Sequence, residues 1–242
     1  DLTSLTLCIS GGAPLPSGVK QTFEQLTGCV VVEGYGLSET SPVVCTNPTV
    51  GENKPGSVGL PMPGTIVEIR SLDDDRPLGI GEKGEICVRG PQVMKGYWNR
   101  EEETAEAMRG GAFHTGDVGY IDEDGYVFIV DRIKDMINAS GYKFYPRVVE
   151  EAIHEHPAVA EVVVIGVKDD YRGEAPKAFI KPRDGHTVTE DDLRTFLKGK
   201  LSTIEMPEHY EFRDELPKTL IGKLSKKELK EEHASAGAKG EA

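Results

Sequence analysis

Glu39 ends the run Gly34-Tyr35-Gly36-Leu37-Ser38-Glu39, which follows a strand-like segment, where a nucleotide-binding loop belongs. Glycines let the backbone approach a flat ring or a phosphate closely. Tyr35 offers a face on which a base can stack, and a Glu39 carboxylate oxygen is a hard ligand of the kind Mg2+ takes. The run is not a dinucleotide fingerprint, because Glu39 stands where G-x-G-x-x-G requires its third glycine. A plain glycine-rich connection is the competing reading.

Four further constellations carry chemistry. His114-Thr115-Gly116-Asp117 sets a carboxylate after a Thr-Gly turn, suited to accepting from both hydroxyls of a ribose; an Asx turn is the bland alternative, and His114 itself reads as packed or solvated rather than catalytic. Asp131-Arg132-Ile133-Lys134-Asp135 is a charged run at a change of sequence texture, either a solvated linker or a hinge with Arg132 and Lys134 on its two sides. In Ser140-Gly141-Tyr142-Lys143 a glycine can line a narrow passage or simply make a turn. Lys223 ends Leu216-Pro217-Lys218-Thr219-Leu220-Ile221-Gly222-Lys223, which is not a Walker A loop, since Leu224 follows the lysine. It reads as a lysine on a glycine-containing loop, free to enter a site from outside or to stay a surface lysine.

The elements that position these groups fall into three textures. Residues 1–50 read as strand–helix–strand: Leu5 to Ile9, a helix opened by Pro16 and Ser17 and running through Leu26, then Cys29 to Glu33. Ligands of such α/β pieces sit at the strand C-terminal ends. Residues 51–132 are strand-rich, with runs at Thr65 to Arg70, Glu85 to Arg89 and Tyr126 to Val130 and a hairpin turn at Asp122-Glu123-Asp124-Gly125, which predicts a small barrel or a distorted sheet. Residues 133–242 read as a small α+β domain. Pro146 opens a helix with Val149, Ile153 and His156 at helical spacing, and Val162 to Val167 and Ala175 to Lys181 are strands. Thr189 caps a helix, Ser225 to Glu228 form a capping box, and the small polar tail from Ala234 predicts disorder.

The bulk properties exclude some classes. With 242 residues the chain can bury a sizeable core. A net charge of −13 opposes nucleic acid as the main partner, since backbone phosphates would be repelled. No stretch approaches the roughly eighteen uninterrupted apolar residues of a membrane span. The four cysteines, Cys8, Cys29, Cys45 and Cys87, have no C-x-x-C spacing, which predicts reduced thiols in a cytoplasmic protein rather than a metal centre.

Taken in order, EGYGLSE (33–39), GEICVRG (84–90), HTGD (114–117), VDRIKDMINASGYKFYP (130–146) and LPKTLIGK (216–223) resemble the core motifs of the adenylate-forming superfamily of acyl-CoA synthetases, luciferases and adenylation domains. The resemblance covers the chain to about residue 233. GPQVMKGYW, SGYKFYP and EFRDELPKT look most like bacterial long-chain fatty acyl-CoA ligases. It implies that residues 1–132 are the C-terminal part of a large α/β domain with a β-barrel-like subdomain, and that 133–242 are a small mobile domain. It also implies ATP, Mg2+ and CoA as cofactor and co-substrates and a fatty acid as the activated carboxylate.

By position, the resemblance gives Gly11, Gly12, Ala13, Gly34, Tyr35 and Gly36 to the adenine pocket, Ser38 to the α-phosphate and carboxylate, and Glu39 to Mg2+. Asp117, helped by Arg132, would hold the ribose; Lys134 would be the hinge; Ser140, Gly141 and Tyr142 would line the CoA tunnel. Lys223 would bridge carboxylate and phosphate during adenylation. The family's lysine-containing phosphate loop and most of the acyl pocket lie outside this sequence, so the chain is expected to be an inactive piece of a longer enzyme, cytoplasmic and peripheral at the inner membrane face if it meets a membrane at all. The alternatives are an aryl- or aminoacyl-adenylating enzyme and a non-catalytic module that binds nucleotide or CoA.

Overall fold

The computed structural model describes residues 2, 4–13, 15, 17–219 and 222–240. Pro16, proposed above as part of a helix start, lies outside them. The chain divides into two units, Asp1–Ile133 and Lys134–Ala242.

In the first unit a parallel pair, β1 (Leu7–Gly11) and β2 (Val30–Gly36), is joined by helix α1 (Ser17–Thr27) and extended antiparallel by β3 (Val43–Thr46) and β4 (Leu60–Pro61). A second sheet holds β5 (Ile66–Arg70), β6 (Gly84–Arg89), β7 (Phe113–Ile121) and β8 (Val127–Arg132) in sequence order and antiparallel, with helix α2 (Glu101–Ala107) between β6 and β7. Of the barrel and the sheet left open by the sequence, the sheet forms. The outer edge of β8 is taken by the first sheet's connection, where Val58 N–H donates to Val127 O at 2.8 Å and Val127 N–H to Gly59 O at 2.9 Å, so β5 and β8 do not close on each other. The hairpin between β7 and β8 is pinned by Asp122, whose Oδ1 accepts from the N–H groups of Asp124 and Tyr126. Tyr35, Val44, Cys45, Ile69, Ile86, Val88 and Val127 make one buried cluster from both sheets. Ile9 on β1 and Leu26 on α1 stay largely exposed.

The second unit is built on a mixed sheet of β9 (Ile137–Ala139), β10 (Tyr142–Phe144), β11 (Val159–Asp169), β12 (Gly173–Pro182) and β13 (His209–Phe212). Its helices are α3 (Pro146–His154), α4 (Glu190–Leu197) and α5 (Lys226–Gly240). Strand alternation sends Val162 and Val164 into a core with Val149, Ile153, Leu193 and Leu197, while Val163, Ile165 and Val167 meet Phe179, Leu216 and Leu229. Cover on both faces is why this run is apolar throughout. Pro146 sits in the first turn of α3, where its missing N–H costs nothing, and Thr189 closes a capping box with Asp192. Composition predicts disorder from Ala234, but helix α5 continues to Gly240, and a small polar composition does not oppose helix where it includes a strong helix former such as Ala234. No helix among the described residues is long and apolar enough to cross a membrane.

Candidate functional site

Asp117 on β7 lies directly opposite Arg132 on β8 in the strand register. Both of its carboxylate oxygens are engaged: Oδ1 accepts from Arg132 Nε at 3.1 Å and Oδ2 from the Tyr35 hydroxyl at 2.6 Å. The carboxylate is buried, whereas the Arg132 side chain is half exposed. Burial, and after it the Asp117 charge, push the Tyr35 hydroxyl far above the usual tyrosine range, so it remains a proton donor. Tyr35 belongs to the buried cluster, so its ring packs against the interior while its hydroxyl orients Asp117.

The turn before Asp117 is fixed from β6. Gly116, at φ 72°, donates its N–H to Glu85 Oε1 at 3.0 Å, and Thr115 Oγ1 donates to Ile86 O while accepting from Asp117 N–H. A left-handed φ next to a carboxylate that must be held still explains the glycine. Glu85 Oε2 also takes Arg109 Nη2 and His114 Nδ1, each at 2.8 Å. Cys87 Sγ stands 3.3 Å from the same histidine nitrogen. Glu85, Cys87 and His114 thus bring three buried donor atoms within 4.8 Å, the composition of a metal-ligand group. Here Glu85 is already met by Arg109 and the Gly116 N–H, and through Gly116 it braces the turn before Asp117. His114 is buried, and its Nε2 faces Asp75 Oδ1 at 3.8 Å, neither atom having a hydrogen-bond partner among the described residues.

The glycine-rich motifs meet at the ends of β1 and β2. Gly11 pairs with Gly34, and a Cβ on Gly11 would stand 3.1 Å from Gly34 O. Gly36 admits no side chain, since its Cβ would fall 1.9 Å from Pro42 O. Gly12, at φ 80°, and Ala13 follow β1 on the exposed surface. Beyond β2, Ser38 to Thr40 form a single tight helical turn; buried Thr40 anchors it by donating Oγ1 to Pro42 O at 2.6 Å. Ser38 is left exposed, and Glu39 is half-buried. Glu39 Oε1 accepts from the Tyr97 hydroxyl at 2.9 Å, and Glu39 O accepts from Met94 N–H at 2.8 Å. Among the described residues no hydrogen bond or ion pair engages Glu39 Oε2. One tethered and one open hard oxygen fit a Mg2+ ligand, because that ion is bound by one or two carboxylates and keeps waters and phosphates for the rest.

The remaining predicted residues belong to the second unit. Lys134 is its first residue and lies in the turn Ile133–Asp135; its carbonyl accepts from Lys230 Nζ at 3.3 Å, and that ammonium pairs with buried Asp135 at 2.7 Å. Ser140 and Gly141 are the two-residue turn between β9 and β10, at φ 54° and 84°, and Ser140 N–H donates to Arg172 O at 2.6 Å. Tyr142 is exposed. The Lys223 backbone closes a small loop in which its carbonyl accepts from Thr219 N–H at 2.7 Å and its N–H donates to Thr219 Oγ1; Leu220 and Ile221 lie outside the described residues. Glu85, Tyr97 and Lys230 received no role from the sequence. Tyr97 stood in the quoted GPQVMKGYW run, but nothing in its spacing points across 58 residues to Glu39.

Comparison with known proteins follows the same outline. The family described as AMP-binding enzyme matches residues 1–98, and the one described as AMP-binding enzyme C-terminal domain matches 148–223. A long-chain-fatty-acid–CoA ligase of Bacillus subtilis (strain 168) is 52% identical over 96% of this chain and 41% of its own length. A feruloyl-CoA synthase of an Amycolatopsis species is 43% identical over 95% of this chain and 47% of its own. The crystal structure of ATP-bound MatB from Rhodopseudomonas palustris superposes with a TM-score of 0.89 at 38% identity, covering 93% of this chain and 44% of that one. The chain therefore spans less than half the length of the relatives it matches.

Proposed function

Since this chain belongs to the AMP-binding enzyme family, we propose that it is the C-terminal portion of an ATP-dependent ligase that activates a long-chain fatty acid as its acyl-adenylate and passes it to CoA. The observation that carries the reading is the Asp117 carboxylate, held by Tyr35 and Arg132 beside the glycine-lined ends of β1 and β2. A carboxylate so fixed is preorganised to accept two vicinal hydroxyls, which is how a ribose is gripped. The exposed apolar side chains of β1 and α1 support the view that more of a large domain packs there in the longer protein.

In the first half-reaction a carboxylate oxygen attacks the α-phosphorus, the α–β bridging bond breaks and pyrophosphate leaves. Two anions must meet, so positive charge realised in the transition state is worth most. Lys223 is our assignment for that charge, with Ser38 as a hydroxyl donor near the α-phosphate. Glu39 is the residue that would hold Mg2+, whose charge offsets that of the phosphates when it is bound. Gly11, Gly12, Ala13, Gly34 and Gly36 let the backbone lie flat against adenine, and Tyr35 acts by orienting Asp117. In the second half-reaction the CoA sulfur, having lost its proton, attacks the acyl carbon and AMP leaves. Ser140, Gly141 and Tyr142 are assigned to the pantetheine arm, and Lys134 to the hinge between the two half-reactions.

Pyrophosphate release from Mg-ATP and CoA by the intact protein tests the proposal, over a panel of short, medium and long fatty acids, aryl acids and amino acids. A maximum with long fatty acids, with a CoA thioester as product, is the expected result. A maximum with aryl acids would overturn the substrate class and favour the reading that the 43% identity to a feruloyl-CoA synthase also supports.

A further inference from the structure

Resting on the reading of Glu39 as the Mg2+ carboxylate, we propose that Tyr97 is a positioning residue that presets Glu39 for the metal. Two independent contacts from one short segment converge on this residue. The Met94 N–H holds the Glu39 carbonyl at 2.8 Å, and the Tyr97 hydroxyl holds carboxylate Oε1 at 2.9 Å. The main-chain contact fixes where Glu39 sits, and the side-chain contact fixes which way its carboxylate turns.

The segment is itself rigidly seated. Tyr97 N–H donates to Thr104 Oγ1 at 2.9 Å, and that hydroxyl donates to Arg100 O at 2.6 Å, so the first turn of α2 anchors the tyrosine backbone. Gly96, at φ 155°, runs against Thr104, where a Cβ would stand 2.5 Å from Cγ2. Tyr97 is itself exposed, but it reaches Glu39 from a tethered base.

A tyrosine hydroxyl suits this task because it offers a single proton and no charge. It fills one oxygen of Glu39 and leaves Oε2 with its full negative character for a cation. A lysine or arginine in its place would neutralise the charge the metal needs. Groups that hold a metal-ligating carboxylate in this way typically govern affinity by about 10–100-fold.

The test compares Mn2+ binding in the presence of ATP, read as loss of the free-ion electron paramagnetic resonance signal, for the intact wild-type protein, Tyr97→Phe and Glu39→Gln. Tyr97→Phe is expected to weaken Mn2+ binding by about tenfold, with an unchanged melting temperature. It should raise the Mg2+ concentration for half-maximal pyrophosphate release by a similar factor, leaving kcat at saturating Mg2+ within about twofold. If Glu39→Gln loses the ion while Tyr97→Phe binds it like wild type, the role of Tyr97 is overturned and that of Glu39 stands. If wild type binds no better than Glu39→Gln, the reading of Glu39 fails, and the proposal with it.

Discussion

The Tyr35 hydroxyl and Asp117 Oδ2 meet at 2.6 Å across 82 residues of sequence, joining the two sheets of the first unit through one buried hydrogen bond. Tyr35 comes from β2, at the end that carries the glycine motif, and Asp117 from β7, beside the bulge that shifts the register between Val118 and Gly119. The bond therefore sets the distance between the glycine-lined surface and the carboxylate assigned to the ribose. A neutral donor on one oxygen and Arg132 on the other hold Asp117 stationary, and half-exposed Arg132 is the partner that can yield when hydroxyls arrive.

Tyr35→Phe separates packing from orientation, because the ring stays and only the donor goes. A hydrogen bond to a charged group is worth about 1.5–3 kcal/mol, and part of that appears in nucleotide binding. We expect the apparent KM for ATP to rise about tenfold with kcat little changed, measured by steady-state pyrophosphate release. An unchanged KM would mean that Asp117 is adequately held by Arg132 alone.

Lys223→Ala should separate the half-reactions. If Lys223 acts only where carboxylate and α-phosphate join, adenylation falls by about 10²–10³, the usual cost of losing an electrostatic stabiliser of a transition state. Thioester formation from added acyl-adenylate and CoA should proceed at nearly the wild-type rate. Equal loss in both assays would instead indicate damage to the loop that Thr219 ties to the Lys223 backbone.

Local chemistry made much of this fold legible. The Asp122–Gly125 turn, the Thr189 cap and the Pro146 helix start each rest on side chains acting within a few residues, and all three form. The apolar run at Val162–Val167 announced a strand, but that it is apolar on both faces became intelligible only once helices covered both sides. The site is less readable, because its groups act across long sequence separations. A tyrosine in a glycine-rich run invites a stacking role, yet the buried cluster takes the Tyr35 ring and leaves the hydroxyl to work. Glu85 and His114 sit in motifs whose spacing says nothing of the contact they make 29 residues apart. The tail was misjudged because a composition poor in large apolar residues does not oppose helix where it includes a strong helix former such as Ala234.

The buried thiols give a pH prediction. Cys45 lies in the core of the first unit, and burial pushes its thiol from 9.0 to about 12. The folded pKa is raised, so this contribution to stability is fully present below about pH 9 and is lost as pH rises towards 12. Over that window the unfolded chain releases a proton that the folded chain retains, and stability should fall by about 1.4 kcal/mol per pH unit for this thiol. Urea unfolding from pH 8 to 10.5 measures the slope. Cys45→Ala should lessen the slope by this thiol's share, Cys87 keeping its own, while lowering stability at pH 7, and a slope identical in the two proteins would refute the assignment to Cys45.

Helix α5 makes the strongest demand on a single side chain. Most of its residues are polar or alanine, and Leu229 is its fully buried anchor among the residues whose side chains are described, set against Val163, Ile165, Val167, Phe179 and Leu216. Lys230, the next residue, reaches Asp135 and the Lys134 carbonyl, so losing the leucine should also loosen the assigned hinge residue from its tether. Leu229→Ala removes the apolar contact and leaves a cavity, which costs about 2–5 kcal/mol when the surroundings relax only in part. Lys230→Ala strands the buried Asp135 carboxylate without its ammonium, so it should lower stability as well as act on the assigned hinge residue. Thermal unfolding should therefore register both variants. The lysine variant should alter the ratio of adenylation to thioester-formation rates. If neither half-reaction changes in Lys230→Ala, the contact with Lys134 is packing and plays no part in domain movement.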